Sequence, residues 1–177
     1  MVNKYVVELE STSALLMDRY STVKPPKKGD DAGYRKQAED KVYRDADGVI
    51  AIPSSALKAA MRECAYRTAG FGKRTDERLS VISGVFMEEE YLSLNRKDHD
   101  GIDERHITRG KPPKVTRVLS FRPRINKWNT KVTIITTDMD AERLRQLLDL
   151  AGTMSGLLSY RPEFGRFRVV KFTQLKE

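Results

Sequence analysis

The residues of this chain best suited to chemistry are cations gathered in one short segment. Positions 105 to 127 contain no acidic residue and eight basic ones: Arg105, Arg109, Lys111, Lys114, Arg117, Arg122, Arg124 and Lys127. The other 25 lysines and arginines equal the 25 acidic residues in number, so this segment accounts for the whole net charge of +8. Lysine and arginine bind phosphate oxygens through charge-assisted hydrogen bonds, and a run of one sign predicts a surface for a polyanion. A basic surface loop without a partner is the alternative interpretation.

Aromatic residues near these cations are candidates for stacking on nucleobases. Trp128 directly follows the basic segment in an expected bend, and a base can stack on an indole ring placed there. Tyr160, Phe164 and Phe167 also lie close to basic residues in the sequence. Packing in the core is the favoured interpretation for the two phenylalanines, because large aromatic side chains are usually buried. Trp128 is therefore the predicted stacking residue.

Catalysis is a weaker hypothesis. A histidine among basic residues can act as a general base on a ribose 2′-hydroxyl, and His106 is the candidate for that role. The nearby carboxylates can instead gather a divalent metal, although turn formation explains their spacing equally well: Asp98, Asp100, Asp103 and Glu104. We expect a binding protein rather than an enzyme, with no metal and no cofactor.

Length and composition indicate one domain that spans residues 1–177. A chain of 177 residues with 39% hydrophobic content can build a single core. No run approaches the roughly 18 apolar residues of a membrane span, and the first ten residues resemble a strand more than a signal peptide. The single cysteine, Cys64, cannot form an internal disulfide, so we expect a reducing, cytoplasmic location and no membrane partner.

The first part of the chain predicts a strand, a loop, a hairpin and a helix. Apolar residues alternate over residues 4–9, as in a strand, whereas the polar segment 18–40 predicts a mobile loop insertion. Its lysines can contact phosphates or stay solvated: Lys24, Lys27 and Lys28. Residues 42–52 predict a hairpin around an Asp-Gly turn. A helix capped by Ser54 or Ser55 and ended by Gly70 follows, with its inner face at Leu57, Ala60, Met61, Cys64, Ala65 and Thr68.

The second part predicts more strands, a basic arm and a second helix. Short apolar runs at 79–86 and 91–94 favour strands. Residues 96–127 form the predicted basic arm, a β-hairpin excursion, and strands are expected at 117–124, 131–136 and 166–172. Asp138 or Asp140 opens the second helix and Gly152 ends it, with the inner face at Ala141, Leu144, Leu147, Leu148 and Ala151. Without the insertions the order is βαββαβ, which predicts an α+β, ferredoxin-like or RRM-like core with two helices on one face of the sheet. The other face is expected to be available for a ligand.

Two segments resemble a known superfamily. Residues 49–62, VIAIPSSALKAAMR, resemble the motif that leads into the first helix of the RAMP superfamily, the Cas7-like proteins of CRISPR effector complexes. Residues 161–169, RPEFGRFRV, together with Arg122, Pro123 and Trp128, are similar to a signature of small Cas7-like proteins of phages and prophages. The resemblance implies an RRM-like core, binding along a single-stranded backbone, head-to-tail assembly of protomers and a prokaryotic host cell.

Three functions follow from these patterns. The first is a Cas7-like protein that binds single-stranded RNA or DNA along its phosphates, as a homo-oligomer or filament. The predicted helices lack the basic and amide-rich face that usually reads a duplex. The second is a RAMP-type endoribonuclease that uses His106. The third is a phage protein-interaction module that mimics or blocks a Cas7-like subunit.

Overall fold

The computed structural model describes residues 2–24, 26–27, 29–67, 74–137 and 139–175, without the side chains at 74–77 and 109. Within these residues the strands are β1 (Asn3–Ser11), β2 (Leu15–Leu16), β3 (Ala51–Pro53), β4 (Val85–Met87), β5 (Tyr91–Ser93), β6 (Gly101–Lys111), β7 (Lys114–Ile125), β8 (Asn129–Thr136) and β9 (Phe167–Leu175). The α-helices are α1 (Asp31–Glu39), α2 (Ser54–Cys64), α3 (Arg74–Gly84) and α4 (Ala141–Leu150). Among the described helices, none is long and apolar enough to cross a bilayer.

The central sheet is antiparallel and has the strand order β4-β8-β1-β9. β1 lies between β8 and β9 and pairs with both. Along the chain, β1, α2 and β4 form one strand-helix-strand unit, and β8, α4 and β9 form the next. The first strand of the second unit lies between the two strands of the first, which is the split arrangement of ferredoxin-like folds. The predicted fold class is therefore confirmed.

One face of this sheet is buried beneath α2 and α4. Tyr5, Val7 and Leu9 alternate along β1 and are at most 1% exposed. The helix residues predicted to face inward are buried as well: Leu57, Ala60, Met61 and Cys64 on α2, and Leu144, Leu147 and Leu148 on α4. Each large apolar side chain buried in this way contributes about 1.5–3 kcal/mol to the free energy of unfolding. This core fixes the position of every element that reaches the candidate site.

Two helices lie where the sequence predicted other structure. The segment 18–40 was expected to be a loop, but it contains α1, whose first turn is capped by Asp30 through a hydrogen bond from the Gly33 N–H at 2.9 Å. The apolar run 79–86 was expected to be a strand, but most of it belongs to α3, and only its end continues into β4. A short apolar run suits either element, and here contacts between α3 and α2 favour the helix.

Strand pairing and capping also differ from expectation around residues 42–55. The Asp-Gly turn is present, with the Asp45 carboxylate accepting hydrogen bonds from the N–H groups of Asp47 and Val49. The expected hairpin is reduced to one bridge between Arg44 and Ile50, because β3 pairs with β5 instead. α2 begins directly after Pro53 without a side-chain cap, so neither predicted serine caps it. The expected helix end at Thr68 and Gly70 lies outside the described residues.

The second helix begins as predicted and ends later than predicted. Asp140 caps α4 by accepting a hydrogen bond from the Arg143 N–H at 2.8 Å, while Asp138 lies outside the described residues. A π-helical turn over Ala151–Ser155 extends the helix past Gly152 to Gly156, which has a φ of +74°. Gly152 has a different role from the expected one, because a Cβ there would collide with the backbone carbonyl of Phe167. It lets the helix end approach β9 closely.

Candidate nucleic-acid interface

β6 and β7 form a long antiparallel hairpin that contains all the cations of the basic segment 105–127 except Lys127. The pairing runs from Gly101 opposite Arg124 to Lys111 opposite Lys114 without a register shift. Directly opposed residues share a face, so odd positions of β6 lie with even positions of β7. The register therefore places six of the eight cations on one side, named here the cationic face: Arg105, Arg109, Lys111, Lys114, Arg122 and Arg124. Arg117 belongs to the opposite face.

The outer part of the hairpin projects from the body of the protein. Lys111, Lys114 and Arg117 are exposed, and Val115 between them is 48% exposed. None of these three cations forms an ion pair with a described residue. The backbone at Arg109 continues the same ladder, and its side chain lies outside the description. The outer hairpin thus carries positive charge that no described residue neutralises.

The inner part of the hairpin uses its arginines differently. Arg122 is only 7% exposed, and its Nη2 and Nε lie 2.9 and 3.0 Å from the Asp18 carboxylate. Its guanidinium also lies 4.8 Å from the ring centroid of Tyr160. A buried cation paired with a carboxylate has little free charge for phosphate. The prediction that Arg122 binds nucleic acid is therefore corrected: the residue anchors the hairpin to the segment before α1.

Arg105 is also committed to contacts within the protein. Its guanidinium donates two hydrogen bonds to the buried carboxylate of Asp103 and lies 4.7 and 4.6 Å from the rings of Tyr160 and Phe164. The hydrogen bond with Asp103 raises the pKa of Arg105 above its usual value. This arrangement joins the hairpin to the loop before β9 and neutralises most of the charge of Arg105. Its predicted role in binding phosphate is accordingly weakened.

The last two cations of the basic segment lie near the end of β7. Arg124 has an exposed side chain that donates a hydrogen bond to Asn126 at 2.8 Å, and it lies 4.0 Å from the Asp103 carboxylate. Lys127 is exposed and has no ion pair with a described residue. Both keep accessible charge. They lie at the inner end of the hairpin, so the accessible cations are found at both ends of the cationic segment.

Trp128 is not a stacking surface. It is 4% exposed, its indole N–H donates a hydrogen bond to the Ser13 carbonyl at 3.2 Å, and its ring packs edge-on against Phe167. The bend that was expected to expose it does exist, but its ring closes one side of the hydrophobic core. The prediction that a base stacks on Trp128 is therefore wrong, because the indole face has no access to a ligand.

The candidate catalytic and metal residues are spread apart. His106 lies on the hairpin face opposite most of the cations, across the ladder from Leu119. Three of the four predicted metal ligands have carboxylates with protein partners: Asp100 accepts from Arg96 and Asn126, Asp103 from Arg105, and Glu104 from Arg35. The fourth, Asp98, is exposed, and its carboxylate has no partner among the described residues. Within the described residues no three metal-ligating side chains come together. The geometry thus offers no cluster around His106.

Of the three predicted lysines before α1, Lys24 lies beside the hairpin. Lys24 lines a groove between residues 18–24 and the β7 backbone, and Lys27 is exposed at the turn before α1. Neither forms an ion pair with a described residue. Lys28 lies outside the described residues. The structure thus brings Lys24 to the edge of β7, which a charge count along the sequence cannot show.

The face of the central sheet opposite the helices is not a cationic surface. Glu10 pairs with Arg168 across β1 and β9, and Glu8 pairs with Lys171 at 3.5 Å. The cross-strand register also sets Lys131 opposite Glu8. Mixed charges of this kind cancel one another's field. The ligand surface expected there is less suited to a polyanion than the hairpin is.

Two features of the site were missed by reading the sequence. Tyr20, on the wall of the groove beside β7, is 86% exposed, and a lone tyrosine in a polar segment gives no periodic signal. Tyr160 contacts two hairpin arginines from a distant loop and has a φ of +60°, a backbone state that sequence patterns do not reveal. By contrast, strand alternation would have placed six cations on one face if the register had been known.

The fold and the site define an α+β protein with a ferredoxin-like core and a basic two-stranded arm. Among solved structures, the chain is similar to a chain of the type III-B Cmr-β complex, determined by cryo-electron microscopy with cognate target RNA bound. The TM-score is 0.63 and the sequence identity is 14%; the match covers 99% of this chain and 61% of that one. At this identity the likeness establishes the fold alone. The chain spans about three fifths of the length of that neighbour.

Comparisons at the level of sequence find no match. No protein-family model matches the chain, and no curated protein sequence matches it. The structural likeness is therefore the finding that agrees with the RAMP resemblance of residues 49–62. The two agree in the fold that each implies, and at 14% identity the agreement extends no further.

Proposed function

We propose that this chain is a single-stranded nucleic-acid-binding protein of the Cas7-like type, which holds the strand through its backbone phosphates. The observation that carries the proposal is the hairpin register, which collects six of eight basic residues on one face and leaves the outermost of them unpaired. Each lysine or arginine that neutralises a phosphate releases a condensed counterion, and this release favours binding. The similarity to a chain in an RNA-bound complex supports the proposal.

A single strand is a better ligand than a duplex for this arrangement. A duplex reader usually inserts a helix or a two-stranded ribbon with base-reading side chains into the major groove. The two outermost cations of the ribbon are lysines, Lys111 and Lys114, and lysine acts towards phosphate as a point charge without directional selectivity. Val115 and Thr116 beside them carry no side-chain amide for reading base edges. Binding by phosphate contacts with little base preference follows.

We further propose that several copies bind one strand head to tail. The two edges of the central sheet, β4 and β9, differ in length and in sequence. A contact between two unlike surfaces is heterologous, so it propagates into a filament unless the rotation closes a ring. The strand would then pass from one copy to the next along a continuous basic track.

Neutralising the outer cations tests this function. Lys111→Gln with Lys114→Gln removes two exposed charges from the hairpin tip, where no contact with the protein is lost. We expect roughly ten-fold weaker binding of a labelled single strand at low salt, and a salt slope reduced by about 1.4 because each phosphate contact contributes about 0.7. Fluorescence anisotropy with single-stranded RNA, single-stranded DNA and duplex at four salt concentrations measures both quantities.

The matched control changes the charge by the same amount elsewhere. Arg62→Gln with Lys97→Gln neutralises two exposed cations outside the hairpin and should leave the salt slope unchanged. Equal effects of the two double variants would show that only net charge matters and would contradict the hairpin site. An absence of binding at low salt would refute the function and favour a protein-interaction module. Cleavage of the RNA probe on a gel, lost in His106→Ala, would favour the endoribonuclease instead.

A further inference from the structure

A groove opens beside β7 where the chain leaves the hairpin sheet. β2 pairs with the end of β7, and the Met17 N–H then donates a hydrogen bond to the Pro123 carbonyl at 3.0 Å. Proline has no N–H to return, so pairing with the edge of β7 stops there. The chain turns away, and the Arg19 N–H binds the Lys41 carbonyl at 3.0 Å instead. The space left between residues 18–24, α1 and residues 118–121 has a volume of about 670 Å³.

The outer wall of this groove is held in place by α1. The Asp40 carboxylate, just after the helix, accepts hydrogen bonds from the Ser21 hydroxyl at 2.8 Å and the Thr22 N–H at 3.1 Å. The hydrogen bond from Ser21 is the main reason that the pKa of Asp40 is lowered. Gln37 donates a further hydrogen bond to the Val23 carbonyl at 3.2 Å. The wall is therefore a built surface, and the side chains it presents are positioned.

Tyr20 and Lys24 on this wall have no side-chain hydrogen bond, ion pair or ring contact with a described residue. Tyr20 is 86% exposed, which is the largest value among the apolar and aromatic side chains of the described residues. Lys24 is exposed and forms no ion pair with a described residue, whereas Arg19 pairs with Asp40 and Lys41 with Asp18. An aromatic ring held in water beside an unpaired cation is the combination with which proteins stack a base and bind its phosphate.

The opposite wall offers polar groups of the strand edge. The Phe121 carbonyl faces the groove, because it accepts a hydrogen bond from Lys41 Nζ at 3.3 Å. Backbone groups of a strand alternate in direction, so the N–H and C=O of Leu119, two residues away, point to the same edge. No described residue lies paired with that edge at Leu119. A donor and an acceptor side by side match the edge of a nucleobase.

We propose that one base of the bound strand enters this groove, stacks on Tyr20 and directs its polar edge to the backbone of Leu119. Lys24 contacts the adjacent phosphate. The proposal rests on the proposed function, since it names where a base of the same strand goes. A peptide added as a strand fits less well, because the free edge covers only residues 118–121 and the unpaired charge is positive. Recognition through backbone groups and one ring tolerates all four bases.

Substitutions of Tyr20 separate stacking from other effects. Tyr20→Leu removes the ring and should weaken binding of a single strand about ten-fold, while Tyr20→Phe keeps the ring and should bind like the unmodified protein. The salt slope should stay the same in both, because no cation is lost. Tyr66→Leu, at an exposed tyrosine on the turn after α2, is the matched control. Since Tyr20 is almost fully exposed, neither substitution at this position should alter the fold.

A direct readout locates the base. A strand with 2-aminopurine at each position in turn should show quenched fluorescence on binding, and the quenching should be lost in Tyr20→Leu. A strand with 5-iodouracil should crosslink to Tyr20 on irradiation, as identified by mass spectrometry of the digested protein. If Tyr20→Leu binds as tightly as the unmodified protein, or if the unmodified protein crosslinks at residues other than Tyr20, while the Lys111 and Lys114 variant binds weakly, the groove proposal is overturned and the function stands. If no single strand binds the unmodified protein, the function itself fails.

Discussion

Arg122 shows at the scale of one residue why a basic segment is not uniformly a binding site. Its side chain is 9% exposed and it holds the Asp18 carboxylate, which lies at the start of the groove wall. Its Nη1 is buried without a hydrogen-bond partner among the described residues. Removing one member of such a pair leaves the other charge buried without a partner, which lowers the free energy of unfolding strongly. Arg122 thus ties the hairpin to the body, whereas the outer lysines Lys111 and Lys114 have no ion pair with a described residue.

Gly165 occupies a position that only a glycine fits, and its replacement should lower the stability of the protein. Its φ is +75°, and a Cβ at this position would collide with the backbone of Leu157, whose N–H donates a hydrogen bond to the Gly165 carbonyl at 2.9 Å. Gly165→Ala should lower the free energy of unfolding by about 2–4 kcal/mol, because left-handed strain and overpacking add. Urea denaturation followed by circular dichroism measures the change.

Gly48 provides the matched control for Gly165. Its φ is +74°, nearly the same, but a Cβ there would meet nothing within 4 Å. Gly48→Ala should therefore cost only the left-handed strain, about 1 kcal/mol. If the two variants lose equal stability, the collision with Leu157 contributes nothing and the close packing of the loop before β9 is not a constraint. That loop carries Tyr160, so its packing bears on the hairpin contacts.

At the scale of elements, the base of the hairpin is fixed by charged hydrogen bonds on the strand ends. Asp100, just before β6, accepts from Arg96 at 2.6 Å and from the Asn126 N–H, just after β7, at 2.7 Å. His99 beside it contacts Glu39 of α1 at 2.7 Å. These bonds join both strands of the hairpin to the body near their inner ends. The direction in which the hairpin projects depends on them.

The pH dependence of stability should report this connection. The hydrogen bond from Arg96, with that from Asn126, lowers the pKa of Asp100 below its usual value. A carboxyl whose pKa is lower in the folded state stabilises the fold above its unfolded pKa of about 3.9, and this stabilisation is lost as the pH falls through the folded pKa. Asp100→Asn should lower the free energy of unfolding by about 1 kcal/mol at pH 7. The difference from the unmodified protein should shrink as the pH falls below the unfolded pKa of about 3.9, as measured by urea denaturation at each pH.

A matched exposed carboxylate shows whether the effect belongs to Asp100. Asp47 lies in the exposed turn before β3 and its carboxylate has no ion pair with a described residue. Asp47→Asn should leave the free energy of unfolding nearly unchanged at every pH. A difference for Asp100→Asn that stays constant from pH 7 to pH 3 would mean that shape, rather than charge, is what the hairpin base requires.

The elements that sequence patterns predicted are those with long, regular periodicity. β1, α2 and α4 were predicted because their inner faces alternate or recur over several turns, and all three form the core. α1 and α3 were missed, since α1 is short and polar and α3 overlaps an apolar run that suits a strand equally well. The basic arm was predicted as a hairpin, but β6 was not predicted as one of its strands, because residues 98–114 have almost no apolar periodicity.

The candidate site was predictable in part for a similar reason. Net charge located the hairpin, since a run without acidic residues stands out in any sequence. The roles of individual cations could not be read from it, because Asp18 and Asp103 meet Arg122 and Arg105 only in the folded protein. Trp128 was misjudged because its neighbours in the sequence are polar while its neighbours in space are Phe167 and the core.

At the scale of the whole molecule, the central sheet ends in two unlike edges. β9 presents nine residues, with Val170 50% exposed and Leu175 42% exposed. The other edge, β4, is short and lies next to exposed apolar side chains of α3: Leu79 is 53% exposed, Ile82 45%, and Phe86 on β4 itself 46%. Open strand edges and apolar patches of this kind favour contacts with another chain. Their position at opposite ends of one sheet suits the head-to-tail assembly proposed above.

Assembly along a strand predicts that binding depends on the length of the nucleic acid. A strand of about 10 nucleotides should take one copy, whereas one of about 40 should take several with a Hill coefficient above 1, because each copy gains a protein neighbour. Val170→Lys, or Phe86→Lys at the other edge, places an exposed charge in the contact and should remove this cooperativity. Light scattering after size exclusion gives the number of copies, and anisotropy gives the affinity.

Lys97→Gln, away from both edges, is the control. If both edge variants bind the long strand as cooperatively as the unmodified protein, the copies do not meet through the sheet edges. Affinity for the short strand should be unchanged or slightly raised in both, since each adds one positive charge outside the hairpin.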